Sequence, residues 1–364
     1  MVQIIFLGDT YMEDDKSLLE LMMSDVALQD DRYKPGPYWR HPAVVAAKKI
    51  KKSGILHFRS NLSGSIGQGF TDALILDPSI LWDHGGILRR TLKKIVDFKF
   101  IRKYIIDHYT NKIDYYNKQL LLYKQYYVDT SLGERLKSFT KNKSLPDSLV
   151  GGSEANIMFR DKPFSLHYLE ALSRIYNFSS NVDFSKISSL FEIGGGFGCN
   201  VHLLLNLFPN ITKVLYLDIP PYLYIGTQYL KHFYGSAVSD YRFFRNSKEI
   251  HFGKTNGLEI YAIAPWQLEK TEAKVDCFWN SCSFVEMPEE AVRSYTRHIN
   301  RVLHDTNSYV CLVMYDKFDP ETTLLPEKVV EIVSKYFQIK NIKPEIKVSI
   351  DRDYFYYVGS RKAM

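Results

Sequence analysis

A short apolar run that turns into a glycine-rich loop constrains this chain more than any other feature. Residues 190–198 read Leu-Phe-Glu-Ile-Gly-Gly-Gly-Phe-Gly, and a helical pattern follows before a second apolar run, Val214-Leu-Tyr-Leu-Asp218. A strand, a glycine turn, a helix and a second strand that ends in an acid form a nucleotide-binding unit, in which the acid binds ribose. The sequence therefore predicts a site for an adenosine-type cofactor.

The spacing of the glycines argues against a dinucleotide loop. Such a loop needs Gly-x-Gly-x-x-Gly, because the third glycine lets the helix pack close to the strand and hold a pyrophosphate at its N-terminus. Counting from Gly194 places Cys199 at the third position, and counting from Gly196 places Val201 there. The pattern is instead Glu-x-Gly-x-Gly-x-Gly, opened by Glu192.

The second half of the chain alternates apolar strand patterns with helical ones, which predicts a parallel sheet wound on both faces. Two closing apolar runs, 345–350 and 354–359, are joined by the short polar turn 351–353. So short a connection predicts an antiparallel hairpin. The other predicted elements are strands at 257–264, 274–280 and 309–315 and helices at 164–176, 288–303 and 326–337.

The N-terminal part carries helical patterns and no cofactor motif. A segment whose second half is rich in lysine, serine, proline and glycine, 132–153, reads as a linker. We therefore predict a mainly helical region at 1–145, which caps the site or binds the acceptor, and a cofactor-binding domain at 146–364. Helices are predicted at 16–28, 42–52 and 88–127, with a turn at 33–39 and a loop at 60–69.

The net charge of +6 is unevenly distributed. Residues 89–143 hold fourteen Lys or Arg against five Asp or Glu, together with many tyrosines. One interpretation is a surface for an anionic partner, such as a nucleotide-sugar, a lipid-linked glycan or nucleic acid. The other is a solvated helix pair whose aromatic residues face inward, which is the usual meaning of a charge run.

The cysteines favour a reducing compartment. Cys199, Cys277, Cys282 and Cys311 lie in or beside predicted core elements and form no Cys-x-x-Cys pair. This favours free thiols over a disulfide framework or a structural zinc site. The apolar run at 2–7 is too short for a signal peptide, and no run is long enough to span a membrane. We therefore expect a cytoplasmic protein.

Four segments together resemble the bacterial sugar O-methyltransferase family, a group of class I S-adenosylmethionine (SAM) methyltransferases. They are Phe191–Gly198, Leu217–Pro221, Asn280–Met287 and, before the glycine loop, Phe164–Leu169. The resemblance extends over residues from about 150 to 360 and is loose before them. It implies an α/β, Rossmann-like fold with a mostly parallel seven-stranded sheet, an antiparallel last strand and a mainly helical N-terminal extension.

The resemblance also assigns residues to the cofactor. In this family an acid opens the motif because SAM carries an ammonium group, and the glycines let the backbone approach the amino-acid part of the ligand. The resemblance places Asn280 and Ser281 beside the transferred methyl group. Trp266, which follows the third predicted strand, either stacks on adenine or covers the sheet edge. The cofactor residues it implies in the loop and the next strand are Glu192, Gly194, Gly196, Gly198 and Asp218.

Transfer to a sugar hydroxyl benefits from a base, or from a metal that acidifies the hydroxyl. Glu286 is the first candidate base, since it lies just past the fourth strand; it is equally an acid that complements the start of the next helix. His167 and His202 are the next candidates. Asp316 and Asp319 could supply oxygen ligands to a divalent metal, but no tight cluster of ligands demands one, and we name no metal site.

The implied activity is methyl transfer from SAM to a hydroxyl of a sugar in a nucleotide-sugar, a surface polysaccharide or a glycoconjugate. The alternatives are a SAM methyltransferase that acts on another small molecule or a lipid, and a non-catalytic scaffold with this fold. The intact motif, completed by Asp218, argues against the scaffold. No Asn/Asp-Pro-Pro-Tyr motif follows the fourth strand, so we expect no nucleic-acid acceptor.

The glycine spacing generates a direct test. The protein should bind SAM and S-adenosylhomocysteine, and should not bind NAD, as measured by calorimetry. Asp218→Ala should abolish binding because hydrogen bonds from the ribose hydroxyls to a charged acceptor contribute about 1–3 kcal/mol each. Gly196→Val should do the same by placing a branched side chain where the ligand approaches. Tight NAD binding without SAM binding would overturn the assignment.

Overall fold

The protein is described from a computed structural model, which covers residues 12–61, 125–127, 130–153, 155–254, 256–316, 322–345 and 353–363. The described strands, numbered along the chain, are β1 (Asn156–Phe159), β2 (Lys162–Ser165), β3 (Ser189–Ile193), β4 (Lys213–Leu217), β5 (Val238–Ser239), β6 (Glu259–Ile263), β7 (Cys277–Ser281), β8 (Tyr309–Tyr315), β9 (Phe337–Ile342) and β10 (Tyr354–Arg361).

Eight of these strands form one sheet in the order β5-β6-β4-β3-β7-β8-β10-β9. In this order, the first six strands are all parallel, whereas β10 runs antiparallel to both β8 and β9. The predicted fold class, a mostly parallel sheet with an antiparallel last strand, is confirmed. The expected number of seven strands becomes eight because the two-residue β5 pairs with the edge of β6.

In the closing hairpin, the last strand pairs with a different segment of the chain from the one predicted. The partner of β10 is β9 at Phe337–Ile342, which begins at the last residue of the helix predicted at 326–337. The helix stops at Val333, and Phe337 and Ile342 are both buried at the two ends of β9. Glu345 is outside a strand, and residues 346–350 of the predicted strand lie outside the described residues.

The helices differ from the sequence predictions mainly at their ends. The first begins as predicted, with the Asp15 carboxylate capping it through the Leu18 N–H. The second begins at Pro37, because proline suits the first turn of a helix, so the predicted turn at 33–39 runs into it. The described helices are α1 (Lys16–Ala27), α2 (Pro37–Ser53), α3 (Phe58–Asn61), α4 (Ser131–Thr140), α5 (Leu166–Ser179), α6 (Cys199–Leu207), α7 (Tyr222–Tyr234), α8 (Tyr241–Phe244), α9 (Glu289–Val302) and α10 (Pro326–Val333).

The predicted linker is partly structured. Its first half forms α4, and the β1–β2 hairpin follows it, with Arg160 and Asp161 at positive φ in the turn. Most of the predicted loop at 60–69 and of the basic stretch at 89–143 lies outside the described residues. The domain division at residue 145 stays a prediction.

The N-terminal helices share a hydrophobic core with the sheet. Leu18 and Met22 of α1 and Ile50 of α2 belong to the same buried cluster as the residues of α5, α6 and α7 that cover one face of the sheet. A second cluster on the opposite face joins the strands to α9 and α10. The helices thus lie on both faces of the sheet, as the alternating pattern predicts.

Acidic side chains of the N-terminal segment also bind the sheet domain directly. The Asp25 carboxylate accepts hydrogen bonds from the Tyr241 hydroxyl at 2.6 Å and from two nitrogens of Arg245 at 2.7 and 2.9 Å. These bonds connect α1 to α8 and its following residue. Asp14 and Asp15 make further ties of this kind, to Tyr224 and Arg242, and the Tyr33 hydroxyl of the N-terminal segment donates to Glu269.

Replacing Asp25 should destabilise the whole protein. Asp25 is 6% exposed, and Asp25→Ala leaves the Tyr241 hydroxyl and the Arg245 guanidinium without this acceptor. Since hydrogen bonds to charged groups contribute about 1.5–3 kcal/mol, we expect a loss of about 2–3 kcal/mol in the free energy of unfolding, measured with urea. The control is Asp31→Ala, whose side chain is 95% exposed and should change little. If Asp25→Ala and Asp31→Ala had the same free energy of unfolding, the predicted contribution of the Asp25 hydrogen bonds to stability would be wrong.

Candidate cofactor and acceptor site

The glycine loop begins where β3 ends. The Gly194 N–H donates to the Leu217 carbonyl at 2.9 Å, which joins the loop to the end of β4. Gly196 has a φ of +62°, and a Cβ added there would meet no atom within 4 Å. Gly198, at φ +88°, is the N-cap of α6. Gly196 therefore faces open space at the carboxyl ends of β3 and β4, where a ligand can approach the backbone.

Asp218 follows β4 and faces the loop. Its Oδ2 accepts the Gly196 N–H and its Oδ1 accepts the Ile219 N–H, both at 2.7 Å. Burial raises the pKa of this carboxyl to about 7 against the lowering effect of these N–H groups, and the charge of Glu286 adds to the rise. Each carboxylate oxygen can accept more than one hydrogen bond, so Asp218 can hold the loop and still receive ribose hydroxyls.

Glu192 lies on β3 with a fully buried side chain. Its Oε1 accepts from the Asn200 amide at 2.7 Å, whereas Oε2 has no hydrogen-bond partner among the described residues. Burial raises the pKa of this carboxyl to about 8, although the Asn200 bond and the nearby Arg174 oppose the rise. A buried carboxyl oxygen without a partner is costly, so this group could accept a hydrogen bond from a bound ligand.

The end of β7 is tied to the end of β3. The Asn280 side-chain nitrogen donates to the Ile193 carbonyl at 2.9 Å and to the Ser283 hydroxyl at 2.6 Å, and its oxygen accepts from the Phe284 N–H at 3.2 Å. The Asn280 amide thus supports the loop. The Ser281 hydroxyl oxygen, in contrast, is buried without a partner among the described residues.

Trp266 lies in the short helical turn Pro265–Lys270 after β6 and is partly buried. Its indole N–H donates to the Tyr241 hydroxyl at 3.3 Å, and that hydroxyl donates to Asp25 at 2.6 Å. The orientation of the indole is therefore fixed from the N-terminal helix α1. Stacking on adenine stays a prediction, and these contacts position the ring at the carboxyl end of β6.

Glu286 lies in the turn Ser283–Glu286 after β7, between the N-terminal segment and β8. Its Oε2 accepts the Trp39 indole N–H at 2.9 Å and its Oε1 accepts the Tyr315 hydroxyl at 2.6 Å. Its charge raises the pKa of Asp218, so the two carboxyl groups interact electrostatically. The structure thus brings the first candidate base beside the predicted cofactor residues.

The two candidate histidines lie in different surroundings. His167, in the first turn of α5, is partly buried, and its ring lies 5.4 Å from that of Phe197 in the glycine loop. His202 lies in the core, 2% exposed, stacked on Phe233 with its Nδ1 2.8 Å from the Tyr234 hydroxyl. Burial lowers the pKa of His202 to about 3. We therefore keep His167 as a candidate and leave His202 out of the site.

Several site residues lack a sequence signal. The Tyr216 hydroxyl donates to the Gly196 carbonyl at 2.5 Å, and Trp39 and Tyr315 hold Glu286. Trp39 also contacts the Tyr222 ring at a centroid distance of 5.0 Å. Tyr216 could have been suspected from its place two residues before Asp218. Trp39 could not, because 247 residues separate it from Glu286.

Neither a metal cluster nor a membrane span is present in the part of the chain that the structure describes. There, no three His, Cys, Asp or Glu residues are grouped so as to hold a metal ion. Asp316 is described and exposed, whereas Asp319 lies outside the described residues. None of the described helices is both long and apolar enough to cross a bilayer.

No protein-family model matches the chain, and no curated protein does. Among solved structures, it is similar to the mitomycin 7-O-methyltransferase MmcR, at 14% identity and a TM-score of 0.38 over 54% of this chain and 55% of that one. It is also similar to NodS, an N-methyltransferase from Bradyrhizobium japonicum WM9 in complex with S-adenosylhomocysteine, at 14% identity and a TM-score of 0.35 over 54% and 86%.

A third similar structure is human N-acetylserotonin methyltransferase in complex with SAM, at 11% identity and a TM-score of 0.35 over 65% of this chain and 69% of that one. The chain thus spans little more than half the length of the mitomycin enzyme. The fold class rests on the strand order of the sheet and the antiparallel β10, and the activity has to be argued from the residues of the site.

The raised pKa of Asp218 predicts a pH-dependent stability. An unfolded aspartate ionises near its ordinary pKa of 3.8, whereas the folded carboxyl keeps its proton up to about pH 7. The folded state therefore binds the extra proton, and lowering the pH from 8 to 5 should stabilise it by about 1.4 kcal/mol for each pH unit below 7.

The ligand-free protein and Asp218→Asn should be unfolded with urea at several pH values. The difference between their free energies of unfolding should move by about 2–3 kcal/mol in favour of wild type between pH 8 and pH 5. Asp183→Asn is the control. A hydrogen bond from Ser185 lowers the pKa of that exposed carboxyl, so it stays ionised in both the folded and the unfolded protein between pH 8 and pH 5. Its difference should stay flat, and a flat difference for Asp218 would contradict the raised pKa.

Proposed function

We propose that this protein binds SAM and transfers its methyl group to a hydroxyl of a small acceptor. The observation that carries the proposal is the meeting of Glu192, Gly196 and Asp218 at one point of the sheet. They lie where β3 has β4 on one side and β7 on the other, so the chain order reverses there. In open α/β sheets, ligands bind in the crevice at the carboxyl ends of the strands at such a reversal.

The residues at this point fit the parts of SAM. The unpartnered Oε2 of Glu192 suits the ammonium group, and the open space at Gly196 admits the ligand against the backbone. Asp218 suits the two ribose hydroxyls, because its oxygens have acceptor capacity beyond the two N–H groups. When bound, SAM supplies a methyl group on a positively charged sulfur, which an oxygen nucleophile takes by in-line displacement.

The work of this chain is then to hold the acceptor oxygen and to receive its proton. We propose Glu286 for this role, since it lies past the end of β7 and interacts electrostatically with Asp218. Trp39 and Tyr315 fix its orientation through one hydrogen bond to each oxygen. These two bonds hold the Glu286 carboxyl in one orientation, which a group that positions an acceptor hydroxyl and takes its proton requires. His167 is the second candidate for this role.

For the acceptor we propose a sugar hydroxyl in a nucleotide-sugar, a surface polysaccharide or another glycoconjugate. The resemblance of Asn280–Met287 and Phe164–Leu169 to sugar O-methyltransferases supports this choice. The partly exposed Trp39 beside Glu286 also supports it, since an indole offers an apolar face and a polar edge to a sugar ring. The same indole favours, as a second candidate, a planar small molecule. Four free cysteines fit a reaction in the reducing cytoplasm.

Methyl transfer can be tested with labelled SAM. The protein should transfer label to at least one member of a panel of nucleotide-sugars, polysaccharides and phenolic small molecules, and should leave RNA unlabelled. With the accepted substrate, Glu286→Gln should lower turnover by about 10²–10⁴-fold, the usual effect of losing a general base. Its affinity for S-adenosylhomocysteine should stay close to that of wild type.

The matched control is Glu290→Gln, which removes an exposed carboxylate from the first turn of α9 and should leave turnover unchanged. Near-normal turnover of Glu286→Gln would remove Glu286 from the reaction and direct the test to His167→Ala. Labelling of a phenolic compound in preference to every sugar would replace the sugar proposal with the second candidate.

A further inference from the structure

Arg174 is a buried cation on α5 whose guanidinium has few hydrogen-bond acceptors. It is 7% exposed, and the nearest carboxylate oxygen, on Glu170, lies 3.8 Å from its Nη2, beyond hydrogen-bond distance. Its guanidinium lies over the Tyr354 ring at 5.4 Å, and its Nε has no hydrogen-bond partner among the described residues. A guanidinium carries five N–H donors, so burial in this state is costly unless another anion completes it.

The face of the sheet beneath Arg174 carries further polar atoms of the same kind. Glu192 lies opposite Trp279 in the β3–β7 pair, and Ser281 follows two residues later on the same face of β7. Ser281 lies opposite Val313 of β8, which in turn lies opposite Tyr356 of β10. In three of these polar side chains, a buried atom has no hydrogen-bond partner among the described residues: Glu192 Oε2, Trp279 Nε1 and Ser281 Oγ.

Arg174 lies close enough to act on both ends of this row. Its charge lowers the pKa of Glu192 on one side and that of Tyr356 on the other, in each case against the larger effect of burial. Arg174 and Glu192 thus offer a cation and a carboxyl group, each incompletely paired, at the end of β3 that leads into the glycine loop. A bound ammonium group favours the ionised form of Glu192, and the pair then matches the ammonium and carboxylate that a free α-amino acid group carries on one carbon.

We propose that Arg174 binds the carboxylate of the methionine part of SAM, while Glu192 receives the ammonium of the same group. This assignment rests on the proposed SAM site. We choose the cofactor rather than an anionic acceptor as the partner of Arg174, because Glu192 lies just before the loop that receives the cofactor. The planar fork of a guanidinium binds a carboxylate through two parallel hydrogen bonds, and Ser281 lies on the same face to receive or donate a third.

The test compares ligands that share the adenosine and sulfur but differ in the amino-acid end. S-adenosylhomocysteine has both charges, its decarboxylated analogue has the ammonium alone, and 5′-methylthioadenosine has neither. Calorimetry should show that Arg174→Met weakens S-adenosylhomocysteine by about 10–100-fold, the range for a charge-assisted hydrogen-bond pair. The same substitution should change the affinity for the other two ligands by less than about twofold. Arg174→Lys should fall between wild type and Arg174→Met, since it keeps the charge without the fork.

Asp218→Ala is the control for the adenosine end and should weaken all three ligands. If Arg174→Met and Arg174→Lys weaken all three ligands equally, Arg174 has a structural role and the proposal is wrong. Unchanged S-adenosylhomocysteine affinity with a raised acceptor KM would assign Arg174 to an anionic acceptor and also overturn it. Should Arg174→Met not fold, Arg174→Lys against the decarboxylated analogue decides the matter alone. A wild-type protein that binds none of the ligands would instead refute the SAM site itself.

Discussion

The hydrogen bond from the Gly196 N–H to the Asp218 carboxylate holds together the part of the structure on which the rest of the site depends. The opposite side of Gly196 is held too, because the Tyr216 hydroxyl donates to its carbonyl oxygen. Both partners come from β4 and its end, so one strand fixes the loop that leaves its neighbour. Gly195 and Gly226 make room for Tyr216, since a Cβ at either would lie within 2.3 Å of its side chain.

The same arrangement leaves the ligand-free site electrostatically unfavourable. Burial raises the pKa of both Glu192 and Asp218, and Arg174 lies nearby with weak pairing. Such groups cost folding free energy and persist where a ligand completes them. The unpartnered oxygen of Glu192 and the weakly paired Arg174 thus lower the stability of the protein, and they are the groups on which the proposed SAM site relies. The N-terminal ties, in which Asp25 is fully engaged with Tyr241 and Arg245, show how a purely structural carboxylate differs.

The sequence predicted the parts of the site that are local in the chain. The loop from Glu192 to Gly198 and the acid Asp218 were predicted because strand, turn, helix and strand follow one another within one supersecondary unit. The sheet class was predicted for the same reason, since each parallel strand needs a helical return. The helix predicted at 326–337 was too long. Phe337 continues the apolar pattern of that helix, but in the structure it is the first residue of β9. The β1–β2 hairpin was not predicted: it follows the segment read as a linker, and its second strand, Lys162–Ser165, includes the first two residues of the helix predicted at 164–176.

Contacts between distant segments could not be predicted from one sequence. Nothing in the pattern around Trp39 indicates that its indole reaches Glu286, 247 residues away. Asn280 was placed beside the methyl group by resemblance, whereas its amide bonds Ile193, Ser283 and Phe284. His202 has the right spacing after the loop, yet a helix exposes each position to a different side, and this one turns into the core.

These long-range contacts join the N-terminal segment to the sheet and to the candidate site. A boundary near residue 145 follows from composition, but α1 and α2 contribute to both ends of the site. Asp25 accepts a hydrogen bond from Tyr241, which in turn accepts one from the candidate residue Trp266, and Trp39 donates one to the candidate base Glu286. Because Leu18, Met22 and Ile50 also complete the hydrophobic core beside α7, a fragment without them would expose apolar surface and release both side chains. The helices α1 and α2 thus pack against the sheet and reach two candidate site residues through hydrogen bonds, while the division at residue 145 stays a prediction.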